Sequence, residues 1–226
     1  AAFLVDTLDQ DDRNVIIAVW PFGDEPYTRA ERLDVRSGRR FVVARAPVQR
    51  AEFLTDREGV VRFADGAGTD NNRKLFYRAS ETDDWKLIND ESVSGNAEHA
   101  LGFSADGRIA YLQAEQTEGP DAILAFHVED GRKERIFSDE VSDPGDLMRE
   151  FAAAGSEASA LIGVELPAGR PRRTFFDPKS KSAALYAMLD QAFPGEVVRV
   201  TSTTADGKLA LVQVSSDRNP GDYYLF

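Results

Sequence analysis

The sequence has no cysteine among its 226 residues, and only two histidines. Disulfides and thiolate metal sites are therefore excluded, and the redox compartment stays open. Two separated histidines without a thiol make no zinc cage of familiar spacing. Long hydrophobic runs are missing as well: the longest apolar stretches are strand-sized, so no segment reads as a membrane span and no membrane partner is expected. Basic charge is short, with 27 Lys and Arg against 39 Asp and Glu and a formal net charge of −12. A nucleic-acid partner needs a basic face to neutralise phosphates, so that class is excluded too. The first residues, Ala1 to Asp6, carry neither an initiator Met nor a basic-then-apolar leader, and read as a cut inside a larger protein.

What the chain has instead is repetition. Leu8 to Trp20, Phe53 to Phe63, Gly102 to Leu112 and Ser202 to Val212 each run from an apolar residue through a tight polar corner into an apolar strand. The corners are Asp12-Arg13, Glu58-Gly59, Asp106-Gly107 and Asp206-Gly207, with steps of 46, 48 and 100 residues. The doubled last step places a missing rung near Gly155-Ser156, followed by the apolar run Ala160 to Leu166. A second ladder interleaves: Leu33 to Arg39 (LDVRSGR) matches Phe126 to Arg132 (FHVEDGR) position by position. Taking Gly38, Asp84, Gly131 and Ser180 as its corners, the steps are 46, 47 and 49.

A fixed period of this size means an array of small sheets, and two corners per period imply about four strands in each. The expected fold is all-β: a partial β-propeller of about four to five blades of four-stranded antiparallel sheets, in one domain. The blades fall at roughly 1–46, 47–92, 93–140, 141–194 and an incomplete 195–226, where Asp222 to Phe226 fills the slot before a second-ladder corner that the chain does not reach.

Within each period the strand after the first corner is the most continuously apolar, as in Val15 to Trp20 and Leu209 to Val214, which predicts a middle strand buried on both faces. The third strands alternate more, Leu33 and Val35 against Asp34 and Arg36, which predicts one partly wet face. Asp143 to Ala154 has the Asp-Pro start and composition of a helix, but the ladder calls for a strand around Leu147 to Phe151. Ser182 to Phe193 reads as a short helix ended by Pro194-Gly195, standing in for the outer strand of the fourth sheet.

Chemistry is sparse. Gly102-Phe-Ser-Ala-Asp-Gly107 approaches the G-x-S-x-G nucleophile elbow, but its second glycine comes one residue late, so Ser104 reads as a turn residue. His99, placed just before an inner strand, and His127, within a third strand, have no accompanying serine and carboxylate arrangement. The acidic group Asp6, Asp9, Asp11 and Asp12 lacks the glycine and twelfth-position Glu of a calcium loop. Asp65 to Asn72 is rich in glycine and oxygen but reads as an exposed hairpin, and Trp20 and Trp85 as anchors between sheets. No catalytic, cofactor-binding or metal-ligating residue is assigned, and no cofactor is expected.

The corner Phe103 to Arg108 (FSADGR), the apolar strand after it, and the final stretch Ser202 to Phe226 resemble the propeller repeats of the prolyl oligopeptidase family of serine peptidases. Arg62-Phe63 and Trp85 are similar to residues there. The likeness is to its dipeptidyl-aminopeptidase and acylaminoacyl-peptidase-like members, whose propellers have about seven blades beside an α/β-hydrolase domain. The resemblance implies a non-catalytic piece that caps the active site and selects short peptides, with every member of a Ser-His-Asp triad outside this sequence. The competing reading is a stand-alone binding propeller without enzymatic activity. An opened ring of sheets also predicts self-association through exposed strand edges such as Tyr223 to Phe226.

Overall fold

The computed structural model describes residues 1–8, 11–23, 26–150, 160–204 and 206–226. The chain divides into two compact units, Ala1–Glu140 and Val141–Phe226. The first holds three four-stranded antiparallel sheets with strands in chain order. Sheet one is β1 (Ala2–Asp6), β2 (Asn14–Val19), β3 (Arg29–Asp34) and β4 (Arg40–Arg45). Sheet two is β5 (Glu52–Thr55), β6 (Val61–Ala67), β7 (Arg73–Tyr77) and β8 (Lys86–Asp90), followed by the single-turn helix α1 (Glu91–Ser94). Sheet three is β9 (Glu98–Phe103), β10 (Ile109–Ala114), β11 (Ala122–His127) and β12 (Lys133–Ser138).

The second unit holds two three-stranded sheets. One is β13 (Leu147–Arg149), β14 (Leu161–Leu166) and β15 (Arg172–Phe175), after which the chain forms α2 (Lys181–Ala192). The other is β16 (Val197–Thr203), β17 (Ala210–Ser215) and β18 (Asp222–Leu225). The chain is thus all-β, a partial propeller of five up-and-down antiparallel sheets.

The corners explain why the strands turn where they do. Gly107 and Gly207 have φ of 67° and 66°, a conformation that costs a residue with a Cβ. Around them the same bonds recur: Ser104 N–H donates to Ile109 O at 2.8 Å, and Thr204 N–H to Leu209 O at 2.9 Å. Asp106 and Asp206 each accept the N–H two residues on, at 3.1 Å, and a neighbouring hydroxyl. Those bonds hold both carboxyls below the usual carboxylate range, the hydroxyl leading at Asp206 and the backbone at Asp106. The second ladder is equally regular: Gly38 and Gly131 donate to Asp34 O and His127 O, both at 2.8 Å.

Middle strands β6, β10 and β14 are largely buried, β14 over its whole length. Strand β17 is not covered on both faces as expected: Leu211 is exposed between buried Ala210 and Val212, and Leu209 before it is exposed as well. In the first unit Phe63, Tyr77, Phe103 and Phe126 bind sheet two to sheet three, with ring centroids 5.0–6.0 Å apart. In the second unit Leu189 of α2 packs on Val198, Val212 and Val214. Helix α2 starts at Ser180, whose hydroxyl accepts the Ala183 N–H at 3.1 Å. Ser180 therefore caps a helix and is not a corner into a fourth strand. The conflict at Asp143 to Ala154 resolves in favour of a strand, Leu147–Arg149; Phe151 to Ala154 and the rung at Gly155-Ser156 lie outside the described residues.

The third strands differ from expectation. In β3 it is Asp34 that is buried and Val35, just beyond the strand, that is exposed. Burial of Asp34 is tolerated because its carboxylate accepts from Arg13 Nε at 2.8 Å and from the Arg36 and Ser37 N–H groups at 2.9 and 3.0 Å. In β11, Ile123, Ala125 and Phe126 are all buried, so both faces are covered.

Phe63 touches aromatic rings of both sheets and is 1% exposed. Phe63→Ala is expected to cost about 3–5 kcal/mol of stability, measured by urea unfolding of the chain. A loss under about 1 kcal/mol, the range of a surface change, would contradict this account of the core.

Candidate functional site

Strand β6 reads as apolar, yet its fifth residue, Asp65, is buried at 9% exposure. Its Oδ2 meets His99 Nδ1 of β9 at 2.6 Å, and its Oδ1 accepts from Arg73 Nε and Nη2 of β7 at 3.2 and 3.1 Å. One carboxylate thereby joins its own third strand to the inner strand of the next sheet. The bond to Asp65 raises the His99 pKa above the ordinary imidazole range; burial and the Arg73 charge oppose the rise, and Glu115 adds to it. Arg73 is held in turn by its own N–H, which donates to Glu91 Oε2 of α1 at 2.7 Å.

Next to this cluster is a cavity of about 470 Å³ lined by Trp20, Arg50, Glu52, Arg73, Glu91 and Glu115, among others. Arg50, at φ 53°, donates to Gly68 O at 2.9 Å. Gly66 allows the close approach that shapes this end: a Cβ there would lie 2.5 Å from Gln49 O and 2.9 Å from Ala51 Cα. Among the described residues the carboxylates of Glu52 and Glu115 carry no hydrogen bond or ion pair. The cavity therefore places the Glu52 and Glu115 carboxylates and the Trp20 indole in one lining with the Arg50 and Arg73 guanidinium groups.

The cluster recurs in the second unit exactly two periods on in function, if not in residue type. Glu165 on β14 lies between Arg173 of β15, whose Nε is 3.3 Å from Oε2, and Arg199 of β16, whose Nη2 is 3.1 Å from Oε1. Asp65, Arg73 and His99 become Glu165, Arg173 and Arg199, each 100 residues later. Arg173 also reaches Asp190 Oδ1 of α2 at 3.1 Å and lies 4.6 Å from the Tyr186 ring centroid. Burial raises the Tyr186 pKa.

The other candidate residues are held in structural roles. Ser104 Oγ donates to Asp106 Oδ1 at 2.8 Å and accepts the Ile109 N–H at 3.1 Å, so it belongs to its corner. His99 lies inside β9 and not before it, and His127 Nε2 faces Arg132 Nη2 at 2.8 Å. Gly68 to Asn72 forms the expected hairpin between β6 and β7, with Asp70 on Lys74 at 3.2 Å, but Asp65 belongs to the strand. Of Asp6, Asp11 and Asp12, Asp6 takes Thr55 Oγ1 at 2.5 Å and Asp11 takes Asn14 Nδ2 at 2.8 Å; Asp9 is outside the described residues. Among the described residues no group of three or more His, Asp or Glu is arranged to hold a metal ion.

Trp85 does bridge sheets one and two, donating to Arg45 O at 2.9 Å with the Arg78 guanidinium 4.8 Å from its ring centroid. Trp20 instead meets Phe3 of its own sheet edge-on at 5.6 Å and faces the cavity.

No protein-family profile matches the sequence, and no curated protein matches it. Solved structures do. A structure from a study of two prolyl endopeptidases and their inter-domain dynamics aligns with 99% of this chain and 33% of its own, at 11% identity and a TM-score of 0.56. What the two share is the fold. TolB from Acinetobacter baumannii aligns over 100% of this chain and 54% of its own, at 13% identity and a TM-score of 0.47. An oligogalacturonate lyase in complex with manganese aligns over 94% and 61%, at 15% identity and 0.45. The chain thus spans about half of TolB and a third of the endopeptidase.

The His99 geometry fixes a sign. Folding raises this pKa, so the contact stabilises fully below the unfolded value of about 6.5 and its contribution is lost as pH rises through the folded value. Stability of the native chain relative to His99→Gln is expected to fall as pH rises above the unfolded value of about 6.5, read by urea unfolding at each pH. A difference that stays flat, or grows with pH, contradicts the assignment.

Proposed function

We propose that this chain is the propeller portion of a serine peptidase of the prolyl oligopeptidase kind, with a Ser-His-Asp triad carried by an α/β-hydrolase domain outside this sequence. The propeller gates the active site and selects short peptides. The likeness of 99% of the chain to a third of a prolyl endopeptidase supports this reading. The repeated Asp-Gly corners, with Ser104 spent in one of them, agree with it.

Within that role we assign the cavity of the first unit to the peptide. Glu52 and Glu115 offer carboxylates to an ammonium group beside Trp20, and a charge-assisted bond of this type is roughly twice as strong as a neutral one. The exposed apolar residues of β18, Tyr223, Tyr224 and Leu225, serve as a contact for other copies or for adjoining sheets.

Four measurements test this. The reading frame after Phe226 should encode a domain of about 250 residues bearing G-x-S-x-G and then Asp and His in that order; a frame closing soon after the last sheet favours the stand-alone binding propeller. A fluorophosphonate probe should leave residues 1–226 unlabelled, and labelling at Ser104 or any other serine overturns the proposal. In the whole enzyme, Glu52→Gln with Glu115→Gln should raise KM about tenfold or more for peptides with a free amino terminus and leave N-acetylated peptides unchanged. An equal rise for both removes the cavity from the account. Sedimentation of residues 1–226 should show self-association, and a monomer at high concentration would count against the β18 contact.

A further inference from the structure

A second cavity of the first unit, of about 360 Å³, lies between the inner strands β1 and β5. Phe3 and Val5 line it from β1, Ala18 from β2 and Phe53 from β5, with Trp20 at one side. Among the described residues Glu52 is the single charged group in this lining. The register across sheet one explains why a hollow forms. Phe3 stands opposite Ala18, Ala18 opposite Ala30, and Ala30 opposite Ala44. Residues directly opposite share a face, so one large ring is followed by three methyl groups in the same row. The alanines are buried, whereas Phe3 is 54% exposed. No described part of the chain covers the ring.

Trp20 and Glu52 line both this cleft and the larger cavity, so they form the boundary between the two. Trp20 is fixed there: its N–H donates to Ala1 O at 2.8 Å, and the Phe3 ring meets it edge-on at 5.6 Å. The guanidinium groups of the larger cavity are engaged elsewhere, Arg50 with Gly68 O and Arg73 with Asp65, and neither lines the cleft. An apolar hollow with one acid and an indole at its edge suits one kind of ligand, a cation attached directly to a bulky apolar group. The cation gains from the carboxylate and from the indole face. The apolar group gains by leaving water.

We propose that the cleft takes a bulky apolar side chain whose own ammonium group binds Glu52, so that the ligand is a peptide with a free, apolar amino-terminal residue. The proposal rests on the assignment of Glu52 to a peptide's ammonium group and adds the side chain that accompanies it. In such a residue one carbon carries both groups, which matches a boundary shared by two cavities. The cation stays at Glu52 and Trp20, the side chain turns into the cleft, and the rest of the peptide runs into the larger cavity. An amino-terminal glycine leaves the cleft in water, and an acylated amino terminus brings a neutral amide to Glu52. The peptidase reading is decided by the frame after Phe226 and the cleft by binding to residues 1–226, so either fails without the other.

The test is a titration of isotope-labelled residues 1–226 with L-phenylalaninamide at about pH 6, where an α-amino group is charged, read at the two indole N–H resonances. That of Trp20 should shift saturably, and that of Trp85, bonded to Arg45 O, should not. Glycinamide lacks the side chain and N-acetyl-L-phenylalaninamide lacks the charge, and each should bind about tenfold or more weakly. Glu52→Gln should weaken phenylalaninamide by about tenfold or more and leave the acetylated amide unchanged. Phe3→Ala, at a position more than half exposed, should weaken phenylalaninamide and leave glycinamide unchanged. Equal binding of glycinamide and phenylalaninamide overturns the cleft but leaves the ammonium assignment standing. Equal binding of the acetylated and free amides overturns both. An unmoved Trp20 resonance, or indifference to either substitution, also overturns the proposal.

Discussion

A buried carboxylate held between two bases, one from its own sheet and one from the next, is the contact on which each unit depends. Asp65 and Glu165 occupy the same place in the repeat, three residues beyond the position whose carbonyl accepts the N–H of the residue following the third strand, Arg62 and Ile162 respectively. A carboxylate in a middle strand would be strongly destabilising unless its partners were placed to meet it. Arg73 with His99, and Arg173 with Arg199, meet it from fixed strands. The separation of neighbouring sheets at that level is thereby set to hydrogen-bond length. The apolar core alone tolerates small slips; this contact does not. The cavity in the first unit inherits its geometry, because Arg73 is both a member of the contact and part of the cavity wall.

A second polar device holds sheet two to sheet one. Arg78 is 5% exposed, and its guanidinium donates to the carbonyls of Val61, Glu81 and Val43 while stacking on Trp85. Burial pushes its pKa down, but a guanidinium starts so high that it stays charged. A lysine there would present one point charge in place of a planar fork and would reach fewer of these carbonyls. Sheet two is therefore joined to sheet one through Arg78 and to sheet three through Asp65 and His99, with Phe63 and its aromatic neighbours packed between sheets two and three.

The repeat was legible because its corners have strict backbone needs: positive φ at Gly107, Gly131 and Gly207, and an acid or hydroxyl to accept the turn's N–H groups. Most middle strands were legible from apolar runs, and α2 from its composition and the Pro194-Gly195 stop, whereas Ser180 reads as a corner and proves to be the helix cap. What the pattern hid was buried charge. Asp34 and Asp65 look like solvated residues, since alternation assigns polar side chains to water, and only tertiary partners far along the chain reverse that. Asp65 reads with the Gly-rich loop that follows it for this reason. One signal for the site was present: Asp65, Arg73 and His99 recur as Glu165, Arg173 and Arg199 at twice the repeat length. The missing outer strand of the fourth sheet was legible from the helical run Ser182 to Phe193 that takes its place.

The two contacts differ in one respect that bears on the cavity. Arg199 is a guanidinium, whereas His99 is an imidazole whose pKa is raised chiefly by its bond to Asp65, and Glu115 is among the charges that favour its protonated form. Glu115 also lines the cavity beside Trp20. A cation bound at Glu115 cancels part of the field that retains the His99 proton, and a protonated His99 cancels part of the field that attracts the cation. Linkage makes the two effects equal in free energy. A cation bound at Glu115 would therefore be coupled, through that single carboxylate, to protonation of the joint between sheets two and three.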